Sequence, residues 1–259
     1  VKADFQRIEV AGVTLEVLRG GHGAPLLYLH DAGGIEASLP FIEQLQERFE
    51  VHAPSHPGFG GSELPQYISS VDDISYLYLD YLQQHALENT HLVGASFGGW
   101  IACEMAVKTT ERLASLALID ALGVKFGSRD RQDIVDVFYL SPAQMREIGY
   151  IKPPAQAPDL AAARRIARNR EALSLFGWSP LLHNPKLRHR LYRIGVPTLV
   201  LWGADDRVAC VDYGRSYCAA IEGAEFALIA RAGHLPHVEQ PRATVDRLTQ
   251  FLTRAPVCA

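Results

Sequence analysis

Apolar and polar side chains alternate through residues 5–20 (FQRIEVAGVTLEVLRG) on either side of Gly12, a pattern that predicts a hairpin of two half-buried strands. The unbroken apolar run at 25–30 (PLLYLH) predicts a strand covered on both faces. Leu39, Ile42 and Leu45 recur at helical spacing over 38–48, and a further strand follows at 49–54, ended by Pro54. Residues 71–87 carry Val71, Ile74, Leu77, Tyr78, Tyr81 and Leu82 on one helical face. Asp72 and Asp73 fall in its first turn, where the helix dipole favours negative charge. A strand is expected at 90–96, a helix at 97–110 and a buried strand at 113–121. Two more strands are expected at 197–203 and 225–230, with helices near 212–221 and 241–253.

Alternating strands and helices of this kind predict an α/β fold: a mostly parallel, eight-stranded sheet with flanking helices. One stretch breaks the rhythm. Residues 124–195 show helical pattern, no convincing strand, and prolines at 142, 153, 154, 158, 180 and 185. Too long for a plain loop, this stretch reads as a helical lid inserted between two strands of a core formed by 1–123 and 196–259.

Composition narrows the class without changing that picture. The 259 residues are 48% hydrophobic and 21% charged, with a formal charge of −4. That balance disfavours a nucleic-acid surface, which would show a basic stripe. The one notable basic run, Arg164, Arg165, Arg168 and Arg170, reads as a solvated helix face. Cys103, Cys210, Cys218 and Cys258 show neither CxxC nor zinc spacing, so they read as free thiols of a reducing compartment. No apolar stretch approaches a membrane span, and the first residues, VKADFQRIEV, start as a strand rather than a signal peptide. A cytoplasmic protein acting on a small molecule is expected, with no membrane or nucleic-acid partner, no metal and no cofactor.

The chemistry concentrates at GASFG, residues 94–98. Glycine-x-serine-x-glycine between a strand and a helix makes a turn so tight that glycine must flank it, and it lifts the serine hydroxyl above the strand end. The alternative is a helix N-cap serine. A capping box would want Glu or Gln three residues on, where Gly99 stands, and two glycines in a first turn weaken a helix. Ser96 is therefore read as a nucleophile, which needs a base and an orienting carboxylate. VLWGADDRV (200–208) offers Asp205 and Asp206 after one strand, and RAGHLPH (231–237) offers His234 and His237 after the last. Asp120, at the end of an earlier strand, is a minor candidate for the acid. Two backbone N–H groups are expected to hold the oxyanion, from Phe97 and from the loop after His30.

Together LH at 29–30, HPGFGGS, GASFGG, PTLVLWGADDR and GHLPHVEQP make the chain resemble the α/β-hydrolase fold family, in its small, capped, esterase-like branch. The resemblance implies a triad of Ser96, Asp206 and His234, and Ala32 as the second oxyanion donor. It leaves His237 as a helix-entry or pocket residue and His30 as a structural hydrogen-bonder. His22, His52, His56 and His91 carry no spacing signal. Relatives usually place glycine where Asp31 stands. A carboxylate there opposes an oxyanion unless it turns away, and an Asx turn within AGG is the favoured arrangement.

The insertion holds a supply of apolar side chains, among them Phe126, Phe138, Tyr139, Met145, Phe176, Trp178 and Leu182. Most are expected to fix the lid to the body, with Trp178 and Phe138 lining the substrate pocket. That supply favours a small or medium, partly apolar carboxylic ester. NPKLRHRLYRIGVPTLVLWGADDR is similar to the meta-cleavage product hydrolases, which cleave carbon–carbon bonds of vinylogous keto-acids and use a lid arginine for the substrate carboxylate. That activity ranks second, because their oxyanion-loop sequence differs from HDAGG. A perhydrolase or a non-catalytic, ligand-sensing hydrolase-fold protein ranks lower.

Overall fold

The computed structural model describes residues 5–128, 130–153 and 158–254. Its strands are β1 (Phe5–Val10), β2 (Val13–Gly20), β3 (Ala24–Leu29), β4 (Phe49–Pro54), β5 (Thr90–Ala95), β6 (Leu113–Ile119), β7 (Thr198–Gly203) and β8 (Glu225–Ile229). They form one eight-stranded sheet in the order β1-β2-β4-β3-β5-β6-β7-β8. β2 runs antiparallel to both β1 and β4, and every other pairing is parallel. Ala11 and Gly12, at φ 47° and 80°, make the predicted hairpin turn, a geometry in which both central residues lie at positive φ.

The helices are α1 (Leu39–Gln46), α2 (Val71–Gln84), α3 (Phe97–Lys108), α4 (Pro142–Gly149), α5 (Leu160–Gly177), α6 (Val211–Ala219), a single turn α7 (Pro236–Glu239) and α8 (Pro241–Leu252). α2 starts one residue after Ser70, whose hydroxyl accepts the Asp73 N–H while the Asp73 carboxylate accepts the Ser70 N–H. The acidic first turn is thus a reciprocal capping box as well as a dipole effect.

Two apolar cores lie on opposite faces of the sheet, and the strand residues divide between them by parity. Leu27, Leu29, Leu116, Leu118, Val200 and Trp202 pack on the side of α2, α3 and α6. Leu26, Tyr28, Ala117, Ile119, Leu199 and Leu201 pack on the side of α1 and α8. Side chains alternate across a strand with period two, so the continuous apolar runs serve two cores at once. Between β6 and β7 the described residues form α4, α5 and a 3-10 segment, Leu187–Arg193. The start of this excursion is bridged to its later part at Gly123 and His183, where Gly123 N–H donates to Leu182 O and Asn184 N–H to Gly123 O. Cys103, Cys210 and Cys218 are free thiols, and Cys258 lies outside the described residues. Among the described residues no helix is long and apolar enough to cross a membrane.

Candidate active site

Parallel strands deliver their carboxyl ends to one edge of the sheet, and the site is built there from β3, β5, β6, β7 and β8. Ser96 follows β5 with φ 50° and ψ −111°, a left-handed conformation that costs a non-glycine residue energy. The bend demands missing side chains around it. A Cβ on Gly94 would lie 2.5 Å from the Gly98 carbonyl oxygen, and one on Gly98 only 2.1 Å from the Leu29 carbonyl oxygen. Ser96 occupies the N-cap position of α3 but makes no capping bond with its side chain. Its Oγ instead stands 2.8 Å from His234 Nε2.

His234 lies on the loop after β8, and its Nδ1–H donates to Asp206 Oδ2 at 2.9 Å. This bond fixes the tautomer and leaves the Nε2 lone pair facing Ser96. Asp206 Oδ1 accepts the N–H groups of Val208 at 2.8 Å and Ala209 at 3.2 Å. Burial opposes ionisation of Asp206, but the neighbouring His234, Asp120 and the Val208 N–H offset it and hold the carboxyl below its usual range. Asp205 is exposed and stands apart from this chain of bonds. The β7 and β8 loops approach so closely that a Cβ on Gly203 would fall 1.9 Å from the Gly233 carbonyl oxygen. Gly203 therefore sets how near His234 comes to Asp206.

Asp120 follows β6 at φ 44° and is fully buried. Its Oδ1 accepts the Gly203 N–H at 2.9 Å, while its buried Oδ2 lacks a hydrogen-bond partner. One polar atom each from Asp120, Asp206 and His234 lie within 4.8 Å of one another. Burial, then the charge of Asp206, pushes the Asp120 carboxyl well above its ordinary range.

The loop after β3 is held by a pair of histidines. The Nε2 atom of His30 accepts the His56 N–H at 3.0 Å, so its Nδ1–H donates to the Asp31 carbonyl oxygen at 2.6 Å. His56 Nε2–H donates to the His30 carbonyl oxygen at 2.9 Å, its Nδ1 accepts Tyr78 Oη–H at 2.7 Å, and the two rings stack at 3.8 Å. Asp31 turns away from Ser96 by two bonds. Its Oδ1 accepts the Gly33 N–H at 2.6 Å, the expected Asx turn, and its Oδ2 accepts from His237 Nε2 at 3.1 Å. Phe97 opens α3, where an N–H has no partner within the helix. Its ring stacks on Phe59 at 5.8 Å and on Phe176 of α5 at 6.2 Å. Ala32 is half-buried beside the same core.

Trp178 and Phe138 pair with each other at 5.3 Å. Trp178 is 63% exposed. It lines an outer groove with Gly58, Leu64, Arg168, Ala172 and Leu175, apart from Ser96, His234 and Asp206. Phe176 is the aromatic of α5 that reaches the strand-end side, through Phe97. The helical pattern of α5 held that signal, since Ala172, Leu173 and Phe176 share its buried face.

Arg168 donates to the carbonyl oxygens of Gly58 and Ser62, Arg170 to those of Val137, Phe138 and Leu140, and Arg165 pairs with Glu36. The predicted solvated face is in large part a set of fasteners. Glu239 accepts the Gly233 N–H at 2.6 Å and the Ile151 N–H at 2.8 Å, and His234 N–H donates to the Gly149 carbonyl oxygen at 3.1 Å. The segment after α4 is thereby tied to the loop that carries His234. Neither His56 nor Glu239 was marked by spacing, because the bonds that give them their places, to His30 and to Ile151, reach across the sequence.

Sequence comparisons agree with this geometry. A 2-hydroxy-6-oxo-2,4-heptadienoate hydrolase from Pseudomonas putida is 27% identical and matches 97% of this chain and 98% of its own length. A dihydrolipoyllysine-residue acetyltransferase component of an acetoin cleaving system, from Cupriavidus necator, is 27% identical over 92% of this chain, which spans 66% of that protein. Among solved structures, a bacterial membrane phospholipase A superposes with a TM-score of 0.82 at 26% identity, covering 96% of this chain and 86% of its own. The model of the alpha/beta hydrolase family matches residues 20–247. That span encloses Ser96, Asp206 and His234 together with the loop of His30, and so the chain belongs to the alpha/beta hydrolase family and is an enzyme of the hydrolase class.

Proposed function

We propose that the protein is a serine hydrolase of small to medium, partly apolar carboxylic esters, working through an acyl-enzyme. The observation that carries this reading is the unbroken run of hydrogen bonds Ser96 Oγ–His234 Nε2, His234 Nδ1–Asp206 Oδ2. His234 Nε2 takes the Ser96 proton as Oγ attacks the ester carbonyl, and Asp206 stabilises the imidazolium that forms. The N–H groups of Phe97 and Ala32 hold the oxyanion. The tetrahedral intermediate collapses, the ester C–O bond breaks, and His234 protonates the departing alkoxide. Water then adds to the acyl-enzyme by the same route and releases the acid. Residues 124–195 act as the lid, and its aromatic side chains, Phe138, Phe176 and Trp178 among them, supply the apolar surface for the acyl group. Free thiols fit a reducing cytoplasm.

Carbon–carbon hydrolysis of a vinylogous keto-acid is the second reading, favoured by the Pseudomonas putida relative. It needs a cation for the substrate carboxylate. Of the six lid arginines that could serve (Arg164, Arg165, Arg168, Arg170, Arg188 and Arg190), Arg165, Arg168, Arg170 and Arg188 are engaged with Glu36 or with backbone carbonyls, and the proposed oxyanion loop carries a carboxylate at Asp31. Both features favour a neutral ester. The test compares nitrophenyl esters of graded acyl length with a vinylogous keto-acid, using Ser96→Ala as control. Ester turnover that exceeds keto-acid turnover and vanishes in S96A is expected. A higher keto-acid rate reverses the order of the two readings, and binding without turnover defeats both.

A further inference from the structure

Asp206 sits beside a second buried carboxyl that the triad does not use. Asp120 and Asp206 each bring an oxygen, and His234 a ring nitrogen, within 4.8 Å of one another. Two carboxylates this close in a buried site cannot both be ionised without a large penalty. Their partners decide which one is neutral. Asp206 is stabilised as an anion by His234 and by the Val208 and Ala209 N–H groups. Asp120 has the Gly203 N–H on Oδ1 and no partner on Oδ2. A proton on Oδ2 turns a costly unpaired acceptor into a donor.

We propose that Asp120 is a positioning residue that keeps a proton on Oδ2 and donates it as a hydrogen bond to the Asp206 carboxylate, so that the pair carries one negative charge behind His234. This rests on the triad reading above. The charged and titratable groups facing Asp120 are Asp206 from the β7 loop, His234 from the β8 loop and Glu239 of α7. Glu239, an anion, acts in the same direction as Asp206. The proton stays on Asp120 throughout turnover. Its effect is to orient Asp206 and to leave a single negative charge behind His234.

Asp120→Asn keeps a donor and the neutral charge, whereas Asp120→Ala removes the donor. The His234 titration, followed by NMR in the full chain, is expected to be unchanged in D120N. If Asp120 were ionised, D120N would delete a charge beside the imidazole and lower its pKa by about one unit or more; that result overturns the proposal. D120A is expected to lose about tenfold in kcat/KM, as for one lost hydrogen bond to a charged group, and D120N to restore it. Equal losses in both variants overturn it too. Where a variant does not fold, the infrared spectrum of the wild type at pH 8 decides: a buried protonated-carboxyl band supports the assignment and its absence refutes it. The titration and the band need no substrate, so failure of the ester reading is separable from failure of this one.

Discussion

Asp31 and His237 are 206 positions apart, yet Asp31 Oδ2 accepts a hydrogen bond from His237 Nε2 at 3.1 Å. The bond joins the loop that follows β3 to the helical turn that follows His234, so one contact couples the proposed oxyanion loop to the loop of the proposed base. Burial opposes the Asp31 charge, but His237 and the Gly33 N–H offset it and hold the carboxyl below its ordinary range. For a carboxyl depressed in the folded state, the stabilisation is fully present above the unfolded value near 4 and is lost as pH falls through the folded one. Asp31→Ala removes two charge-assisted bonds and is expected to destabilise the protein by about 2–3 kcal/mol at neutral pH. Denaturant midpoints at pH 7 measure it, and a change under about 0.5 kcal/mol, the scale of ordinary surface substitutions, defeats the coupling.

The proposed triad makes a prediction of its own through the tautomer. Asp206→Asn presents an amide to His234 Nδ1 and favours the imidazole form whose proton points at Ser96. Ester kcat is expected to fall by about 10⁴-fold, with KM little altered. Steady-state kinetics on a nitrophenyl ester decide it, and a loss below tenfold would remove Asp206 from the role.

Much of this arrangement was legible before any coordinates. Alternation marked the hairpin of β1 and β2, continuous apolar runs marked the six strands from β3 to β8, and Gly94 and Gly98 flank Ser96 where only glycine fits. The antiparallel pairing of β2 with β4 was not legible, since periodicity within a strand says nothing of its neighbour. Nor was the partnership of His30 with His56, whose bonds run to each other's backbones. Which lid aromatics face the site was not legible either, because the lid's own packing decides it: Phe176 lies on the buried face of α5, Phe138 packs against the core, and Leu175 and Trp178 stand exposed.

Close packing at the elbow separates two glycines that look alike in sequence. A Cβ on Gly98 would strike the Leu29 carbonyl oxygen at 2.1 Å, where backbone must yield, whereas a Cβ on Gly195 meets nothing within 4 Å. Gly98→Ala is expected to cost about 3 kcal/mol, the upper end of what an overpacked core position costs, because backbone rather than a side chain must move. Gly195→Ala is expected to be neutral or to stabilise by up to about 1 kcal/mol through the unfolded chain. Thermal melts of the two variants give the comparison, and equal midpoints would contradict the close approach of α3 to β3.

Stability is expected to fall on acidification, in a window set by buried histidines. Burial lowers His30 to about 4, although its bond to Asp31 works the other way. Burial, then Arg19, lowers His52 to about 4. His56 is pushed well below the ordinary imidazole range by burial and by His30. The unfolded chain takes up these protons near pH 6.5 and the folded chain does not, so stability is full above 6.5 and declines as pH falls towards 4. Each group contributes up to about 1.4 kcal/mol per pH unit within the window. Replacing His52 with Gln removes one titrating imidazole while keeping polar atoms near Tyr81 and Glu50, its partners at 2.8 and 3.3 Å. The variant should lose less stability than the wild type between pH 6.5 and 4.5, whatever its stability at pH 7. Parallel curves of midpoint against pH for the two proteins would show that His52 is not among the groups that set the acid limit.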